Sequence, residues 1–176
     1  MDKDLSWKKV KEEPYKAGWR KMIKKTFVLL DGTEADYDIK DEGRTICGLV
    51  LTTENKVVMT KMYRPGPEKV LLEIPGGFVG KDEDPLVAAK RELLEETGYT
   101  GEFEIVGNYY DDAYSNCVRY CYVAKNCKKI QEPEWEEDEE CEIVEMDLNT
   151  FRDHLRSGQL TDVEIGYLAL DYLDLL

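Results

Sequence analysis

Three glutamates near the middle of the chain have the spacing of a cation site. Glu95 and Glu96 follow Glu92 by three and four residues, and residues at those spacings lie on one face of a helix. Carboxylates held this close repel one another, which destabilises the helix unless a cation lies among them. Oxygen ligands of this kind suit Mg²⁺ or Mn²⁺ rather than zinc. The spacing therefore indicates a site for a hard divalent cation.

Two glycines ahead of these glutamates strengthen that interpretation. Gly76 and Gly77 form a loop after a short apolar segment, and glycine has no Cβ to keep a backbone carbonyl away from a ligand. A strand, a glycine loop and a helix would then present backbone and carboxylate oxygens together. The alternative is an ordinary solvated acidic helix face, and spacing alone does not decide between the two.

The helix that must carry the three glutamates has clear ends. Residues 84–97 predict a helix with Asp84 as its N-cap and Pro85 at the first helical position. Gly98 follows as the C-terminal stop. These signals are local, so the helix is predicted without reference to the rest of the fold.

Apolar and alternating segments on both sides of that helix predict strands. These segments are residues 26–30, 35–39, 45–53, 56–63, 70–74, 102–110, 117–125 and 143–148, followed by helices at about 149–157 and 161–174. Residues 1–25 have irregularly spaced apolar side chains and predict a basic, amphipathic arm. We expect an α+β fold, a mixed β-sheet flanked by helices. Residues 1–45 would form an N-terminal arm and β-hairpin, and 46–176 the main domain.

The composition excludes several classes of function. The 176 residues include 38 acidic and 24 basic side chains, for a net charge of −14. So acidic a chain is poorly suited to bind nucleic acid or an anionic membrane, and an anionic substrate would need a cation between them. The single histidine, His154, excludes a zinc site with several histidines.

Cysteine usage and hydropathy predict where the protein works. The chain begins with charged residues, contains no apolar run of membrane-spanning length, and has five cysteines with no CxxC pair. We therefore expect a cytoplasmic protein with reduced thiols.

The stretch from Gly77 to Tyr99 resembles the Nudix box, the signature of the Nudix hydrolases. The fixed positions of that pattern are matched by Gly77, Glu83, Arg91, Glu92, Glu95, Glu96 and Gly98. Tyr99 departs from the pattern, because an aliphatic residue is usual there, and we expect it to affect packing rather than chemistry. The resemblance implies an α/β/α sandwich and an enzyme that hydrolyses a nucleoside diphosphate linked to another moiety.

The resemblance also implies a role for each matched residue. The metal ligands would be Glu92, Glu95, Glu96 and the carbonyl of Gly76, holding magnesium or Mn²⁺, with Glu96 the most essential to catalysis. Arg91 would orient a helix carboxylate, Glu95 first, and Glu83 would hold the loop against the helix.

Motifs outside the box resemble the ADP-ribose pyrophosphatase branch of the family. They are Lys61–Pro67, Leu71–Gly77, Asp31-Gly32 with Tyr37, and Arg156–Asp162. In that branch Arg64 would bind the diphosphate or the nucleoside end of the substrate, as suits a planar guanidinium. The alternative for Arg64 is a salt bridge to Glu73.

The same branch takes its general base from a loop before the penultimate strand. Counting back from Gly158, that position falls on Glu139, with Glu137 also in the site. A carboxylate there would accept a proton from water whose pKa a metal has lowered. Both residues belong to the acidic run 134–140, so a small error of register would select a neighbour, and a solvated charge run is the alternative.

Together these features predict an enzyme that cleaves a nucleoside diphosphate sugar, ADP-ribose first, to a nucleoside monophosphate and a sugar phosphate. The resemblance further implies a homodimer with exchanged N-terminal arms. No proline lies near Tyr114, where the branch commonly has one, so other ADP-sugars and GDP-mannose stay open. Two alternatives remain: a nucleoside triphosphate or dinucleotide pyrophosphatase, and a non-catalytic nucleotide-sensing module.

Overall fold

Ten strands and three helices make up the described part of the chain, residues 3–135 and 141–176 of a computed structural model. The strands are β1 (Lys8–Ala17), β2 (Arg20–Val28), β3 (Glu34–Lys40), β4 (Arg44–Thr52), β5 (Val57–Arg64), β6 (Lys69–Glu73), β7 (Gly76–Phe78), β8 (Tyr99–Tyr110), β9 (Val118–Lys129) and β10 (Cys141–Met146). The helices are α1 (Pro85–Thr97), α2 (Leu148–Ser157) and α3 (Val163–Tyr172). None of these helices is long and apolar enough to cross a bilayer.

The chain divides into two compact units. The first contains the residues up to Gly43 together with Tyr110–Val118, and the second contains Arg44–Tyr109 and Arg119–Leu176. The first unit holds a three-stranded sheet in the order β1-β2-β3. The second holds a seven-stranded sheet with the path β10-β5-β4-β9-β8, to which β6 adds beside β5 and β7 beside β4.

The predicted N-terminal β-hairpin arm is present, and it includes a strand within residues 1–25 that the sequence analysis did not assign. Lys8 pairs with Val28 and Ala17 with Arg20, so most of this segment is an antiparallel β-hairpin. Every residue of β1 is exposed, and a strand without a buried face has no apolar alternation for the sequence to display. Backbone pairing with β2, rather than burial, satisfies its polar groups.

The predicted hairpin around Asp31-Gly32 is present in the same sheet. β2 and β3 are antiparallel, with Val28 opposite Glu34. Aromatic rings gather on this unit: Trp7 stacks on Tyr37 with centroids 5.5 Å apart, and Tyr37 stacks on Tyr114 at 6.3 Å.

The main sheet is buried on both faces, which makes the second unit a sandwich. Along β4, Cys47, Leu49 and Leu51 pack into one apolar cluster with α2 and α3. Ile46 and Val50, on the alternate side of the strand, pack into the other cluster with α1. The predicted mixed sheet flanked by helices is therefore confirmed.

Helix α1 begins and ends where the sequence predicts. The Asp84 side chain accepts hydrogen bonds from the N–H groups of Leu86 and Val87, as an N-cap does. At the other end Gly98 adopts φ 75° and donates its N–H to the carbonyl of Leu94. This helix carries the three glutamates to the edge of β7.

Tyr99, the residue that departs from the box pattern, is buried beneath α1. Its hydroxyl donates a hydrogen bond to Glu145 on β10, which satisfies a polar group that burial would otherwise leave unpaired. Burial, followed by that bond, raises the pKa of Tyr99.

Candidate active site

A cavity of about 680 Å³ lies beside α1 in the second unit. Its charged lining comprises the carboxylates of Glu92, Glu95, Glu96 and Glu134 and the guanidiniums of Arg64 and Arg91. Carboxylates outnumber guanidiniums by two among the described residues, so the cavity favours a cation. All of the predicted site residues that fall in the described part of the chain therefore line this one cavity.

The backbone of β7 forms one wall of this cavity. Gly76 pairs with Cys47 and Gly77 with Ile46 on β4, a short strand that the sequence did not predict. A Cβ on Gly77 would lie 2.2 Å from Glu92 Oε2, and one on Gly76 would lie 2.3 Å from Cys47 Sγ. Glycine at both positions therefore lets the backbone lie directly against the helix carboxylate and the core.

Glu96 is held by the same wall. The N–H of Gly76 donates a hydrogen bond of 2.9 Å to Glu96 Oε2. The carboxylate predicted to matter most is thus fixed to the backbone residue whose carbonyl is the fourth predicted ligand.

Arg91 gathers three carboxylates. Its Nε and Nη2 donate to the two oxygens of Glu83, each at 3.1 Å. Its Nη1 donates to Glu92 Oε1 at 2.8 Å and to Glu95 Oε2 at 3.0 Å. One guanidinium thus offsets the repulsion among them. Arg91 bonds one oxygen each of Glu92 and Glu95, and the other oxygen of Glu92, Oε2, lies against Gly77.

The pKa values of Glu92 and Glu83, two carboxylates that Arg91 contacts, are shifted in opposite directions. Burial raises the pKa of Glu92, because it disfavours the charged form more than the bond and charge of Arg91 favour it. The hydrogen bonds from Arg91 and from the N–H of Gly80 lower the pKa of Glu83. Glu83 therefore stays ionised to a lower pH than a free glutamate and anchors Arg91 as an anion. The ionised form of Glu92, in contrast, would be stabilised by further positive charge nearby.

The donor set fits a hard divalent cation. In residues 3–135 and 141–176, no three acidic, histidine or cysteine side chains converge as a ready-made metal cluster. The helix carboxylates accept hydrogen bonds from Arg91 and from the N–H of Gly76, which partly offset their mutual repulsion. The oxygen-only chemistry and the glycine cradle against Glu92 suit Mg²⁺ or Mn²⁺. The roles of Gly76, Glu92, Glu95 and Glu96 as ligands stay predictions.

Arg64 forms the salt bridge to Glu73 and also lies where it could bind substrate, the two roles that the sequence left open. Its Nη2 lies 3.3 Å from Glu73 Oε2, which is the predicted alternative salt bridge, and its side chain also lines the cavity. Among the described residues its buried Nε has no hydrogen-bond partner. An orphaned donor of this kind is costly unless a ligand satisfies it.

The predicted general bases, Glu137 and Glu139, lie outside the described residues. Just before them, Glu134 donates its N–H to the carbonyl of Glu95 at 2.7 Å, and Trp135 donates its indole N–H to the carbonyl of Glu96 at 2.8 Å. These bonds satisfy carbonyls that the end of α1 leaves unpaired. Just after them, β10 begins beside Met62, another cavity residue.

Sequence reasoning missed two residues that support the site. Arg44 donates to the carbonyls of Lys81 at 2.8 Å and Glu83 at 3.0 Å, and so holds the loop that carries Glu83. Trp135 fastens the end of α1, as described above. A lone arginine before an apolar strand and a lone tryptophan in an acidic run were the available signals, and neither is specific.

Comparisons with known proteins give a family match, relatives by sequence and a solved structure of the same fold. Residues 41–162 match the family model described as the NUDIX domain. Over 150 residues the chain is 31% identical to an ADP-ribose pyrophosphatase of Bacillus subtilis (strain 168), covering 84% of this chain and 80% of that protein. It is 32% identical, with the same coverage, to the methanol dehydrogenase activator of Bacillus methanolicus. The fold matches a crystal structure of an ADP compounds hydrolase with a TM-score of 0.80 at 17% identity, covering 98% and 97% of the two chains.

Proposed function

Because the chain belongs to the Nudix family, we propose that it is a metal-dependent enzyme that cleaves the diphosphate of a nucleoside diphosphate sugar, with ADP-ribose as its preferred substrate. Family membership makes it a hydrolase that acts on phosphoric anhydrides. The observation that carries the proposal is that helix carboxylates, a glycine wall and two guanidiniums meet in one cavity. A diphosphate and its counter-cation need those groups together.

The cation would be held by Glu92, Glu95, Glu96 and the Gly76 carbonyl. Magnesium or Mn²⁺ bound there would supply positive charge opposite the diphosphate and make an attacking water more acidic. The hydrogen bond from Gly76 to Glu96 and the bonds from Arg91 support this assignment, because they fix the carboxylates before any cation arrives. Preorganised ligands lose little freedom on binding.

Arg64 would bind a phosphate oxygen of the substrate. Its pairing with Glu73 holds the guanidinium at the cavity, and its buried Nε still lacks a partner in the described chain. A phosphate oxygen would satisfy that donor, and guanidinium–phosphate hydrogen bonds are among the stronger ones in proteins.

Glu139, with Glu137 as the next candidate, would accept the proton of the attacking water. Support comes from the described neighbours on either side of 136–140, because Glu134, Trp135 and the strand partner of Cys141 all border the cavity. A general base must lie within reach of the water it activates.

A hydrolysis screen tests the substrate. ADP-ribose, GDP-mannose, dinucleotides and nucleoside triphosphates are each incubated with the full chain and Mg²⁺ or Mn²⁺, with Glu96→Gln as the inactive control. We expect the highest kcat/KM for ADP-ribose, with AMP and ribose phosphate as products. Faster cleavage of a triphosphate or dinucleotide would favour the alternative pyrophosphatase instead.

A second candidate is control of another enzyme, which the name of the Bacillus methanolicus relative suggests. The full set of box carboxylates favours hydrolysis, because a binding module has no need of them. A chain that binds ADP-ribose but hydrolyses nothing in the screen would favour this candidate.

We also propose that the protein is a homodimer formed through residues 1–45, and that it works in the cytoplasm. Trp7 and Trp19 are large apolar side chains left 46% and 81% exposed on the N-terminal hairpin, and exposed aromatic residues of this kind are typical of interfaces. Buried free thiols at Cys121 and Cys127 are consistent with a reducing compartment. Sedimentation of the full chain should give a dimer that Trp19→Lys weakens, and a monomer would contradict the proposal.

A further inference from the structure

Glu73 is a buried carboxylate that belongs to no predicted metal site. It is 1% exposed at the end of β6. Its Oε1 accepts the backbone N–H of Thr161 at 3.0 Å, and its Oε2 accepts the Thr161 hydroxyl at 2.5 Å. The same Oε2 lies 3.3 Å from Nη2 of Arg64. One threonine and one arginine therefore compensate a fully buried charge, which burial alone would make very unfavourable.

The strand register brings Arg64 to this carboxylate. Glu73 pairs with Thr60 across β5 and β6, and Arg64 follows Thr60 by four residues in the same strand, so both point to one face of the sheet. Thr161 comes from the segment between α2 and α3, 88 positions along the chain from Glu73. Glu73 therefore links this C-terminal segment to Arg64, which lines the cavity.

The Thr161 hydroxyl limits how Arg64 can pair. The Thr161 hydroxyl and Arg64 Nη2 share Glu73 Oε2, and the Thr161 N–H bonds to Oε1, so the two lone pairs of Oε2 are both used and the guanidinium makes a single contact. Without the hydroxyl, Oε2 could accept a hydrogen bond from Nε of Arg64 as well as from Nη2. Nε would then be held by Glu73 and no longer be free for a phosphate oxygen.

We propose that Thr161 is a positioning residue for Arg64 and acts through Glu73, so that the arginine keeps Nε for the phosphate of the substrate. This inference rests on the proposed function in one respect, namely that Arg64 binds a phosphate oxygen. Thr161 itself does not contact the substrate.

The first test compares Thr161→Val with Thr161→Ser in the full-length protein, with ADP-ribose and Mg²⁺. Valine removes the hydroxyl and keeps the shape, whereas serine keeps the hydroxyl. We expect valine to raise KM about tenfold, the size of one hydrogen bond to a charged group, with kcat changed less than about twofold because Arg64 binds ground and transition states alike. Serine should restore the KM.

Thr150→Val is the matched control. Thr150 is also an exposed threonine whose hydroxyl donates to a carboxylate, Asp147, at 2.9 Å, but at the start of α2. We expect its KM to equal that of the wild type. If Thr150→Val and Thr161→Val raise KM equally, the effect is a general loss of stability and the inference is wrong.

A double-mutant cycle tests the route through Arg64. If Thr161 acts by positioning the arginine, Thr161→Val should change KM by less than about twofold when Arg64 is already alanine. An undiminished tenfold effect in the Arg64→Ala background would overturn the inference, because Thr161 would then act elsewhere.

A measurement without substrate separates this inference from the proposed function. The Nε–H resonance of Arg64, identified by its loss in Arg64→Lys, is followed by NMR in the wild type and in each threonine variant. Thr161→Val should slow its exchange with water because Nε is then held by Glu73, and Thr161→Ser and Thr150→Val should not. No change in Thr161→Val overturns the inference for any substrate. If the NMR result holds but Arg64→Ala leaves KM unaltered, the phosphate role of Arg64 fails instead.

Discussion

Replacing Gly77 with alanine should disable the site while leaving the fold intact. A Cβ on Gly77 would lie 2.2 Å from Glu92 Oε2, whereas real Cβ contacts are essentially never below 3.0 Å. The carboxylate must therefore move by at least the difference, about 0.8 Å. The atoms it meets belong to the end of a flexible side chain, so Glu92 yields rather than the backbone.

The two consequences have very different sizes. A displacement near 1 Å at a catalytic group costs about a hundredfold in rate, and we expect kcat with ADP-ribose and Mg²⁺ to fall by about that factor. Gly77 does not have a left-handed φ, so alanine is conformationally allowed there. Because alanine also restricts the unfolded chain, stability should change by less than about 1 kcal/mol.

The assay measures kcat, the Mg²⁺ concentration for half activation, and the Tm of each variant. Gly107→Ala is the control, because a Cβ there would meet nothing within 4 Å, and it should behave as wild type. Adding Glu92→Asp to Gly77→Ala shortens the displaced side chain by one methylene and should recover part of the Mg²⁺ response. A Gly77→Ala enzyme with wild-type rate and Mg²⁺ dependence would refute the assignment of Glu92 to the site.

Glu96→Gln should lower kcat at least about a thousandfold, because it removes a ligand charge and weakens transition-state stabilisation. Excess EDTA should abolish wild-type turnover. Activity that survives either change would exclude metal catalysis at this helix. Glu139→Gln should lower kcat about 10²–10⁴-fold and leave Mg²⁺ affinity and KM nearly unchanged. If Glu137→Gln has this effect instead, the count from Gly158 selected the wrong residue of the acidic run. If neither variant does, the general base lies elsewhere. Glu83 has a folded-state pKa below its ordinary 4.5, so its ionised form stabilises the fold above that pH and the contribution is lost as the pH falls through the lowered pKa. Thermal melts should therefore show Glu83→Gln less stable than wild type at pH 7, with a gap that closes as the pH falls below 4.5. A gap that is constant with pH would contradict the network around Arg91.

Much of the site could be predicted because its information is local. The spacing of Glu92, Glu95 and Glu96 places them on one helix face wherever that helix lies. Asp84 and Gly98 define its ends through contacts within a few residues, and the structure has both caps. Along β4 the apolar run indicates burial on both faces, and each face packs into its own cluster.

The hairpin strand β1 marks the limit of this approach. Its residues are all exposed, so no periodic pattern could reveal it. A strand of that kind forms because a neighbouring strand supplies its hydrogen bonds. The register between two strands cannot be predicted from the sequence of either strand alone.

The sequence by itself determined the helix, its carboxylates and the glycines before it, since each follows from backbone geometry over a few residues. Only the tertiary structure decided which partners these groups take. Arg91 reaches Glu83 as well as two helix carboxylates, and Glu73 joins Arg64 to a threonine 88 positions away. Contacts over such separations depend on strand register and helix packing, which are properties of the whole core, and a side chain that can pair with several charges reveals its choice only when that core has formed.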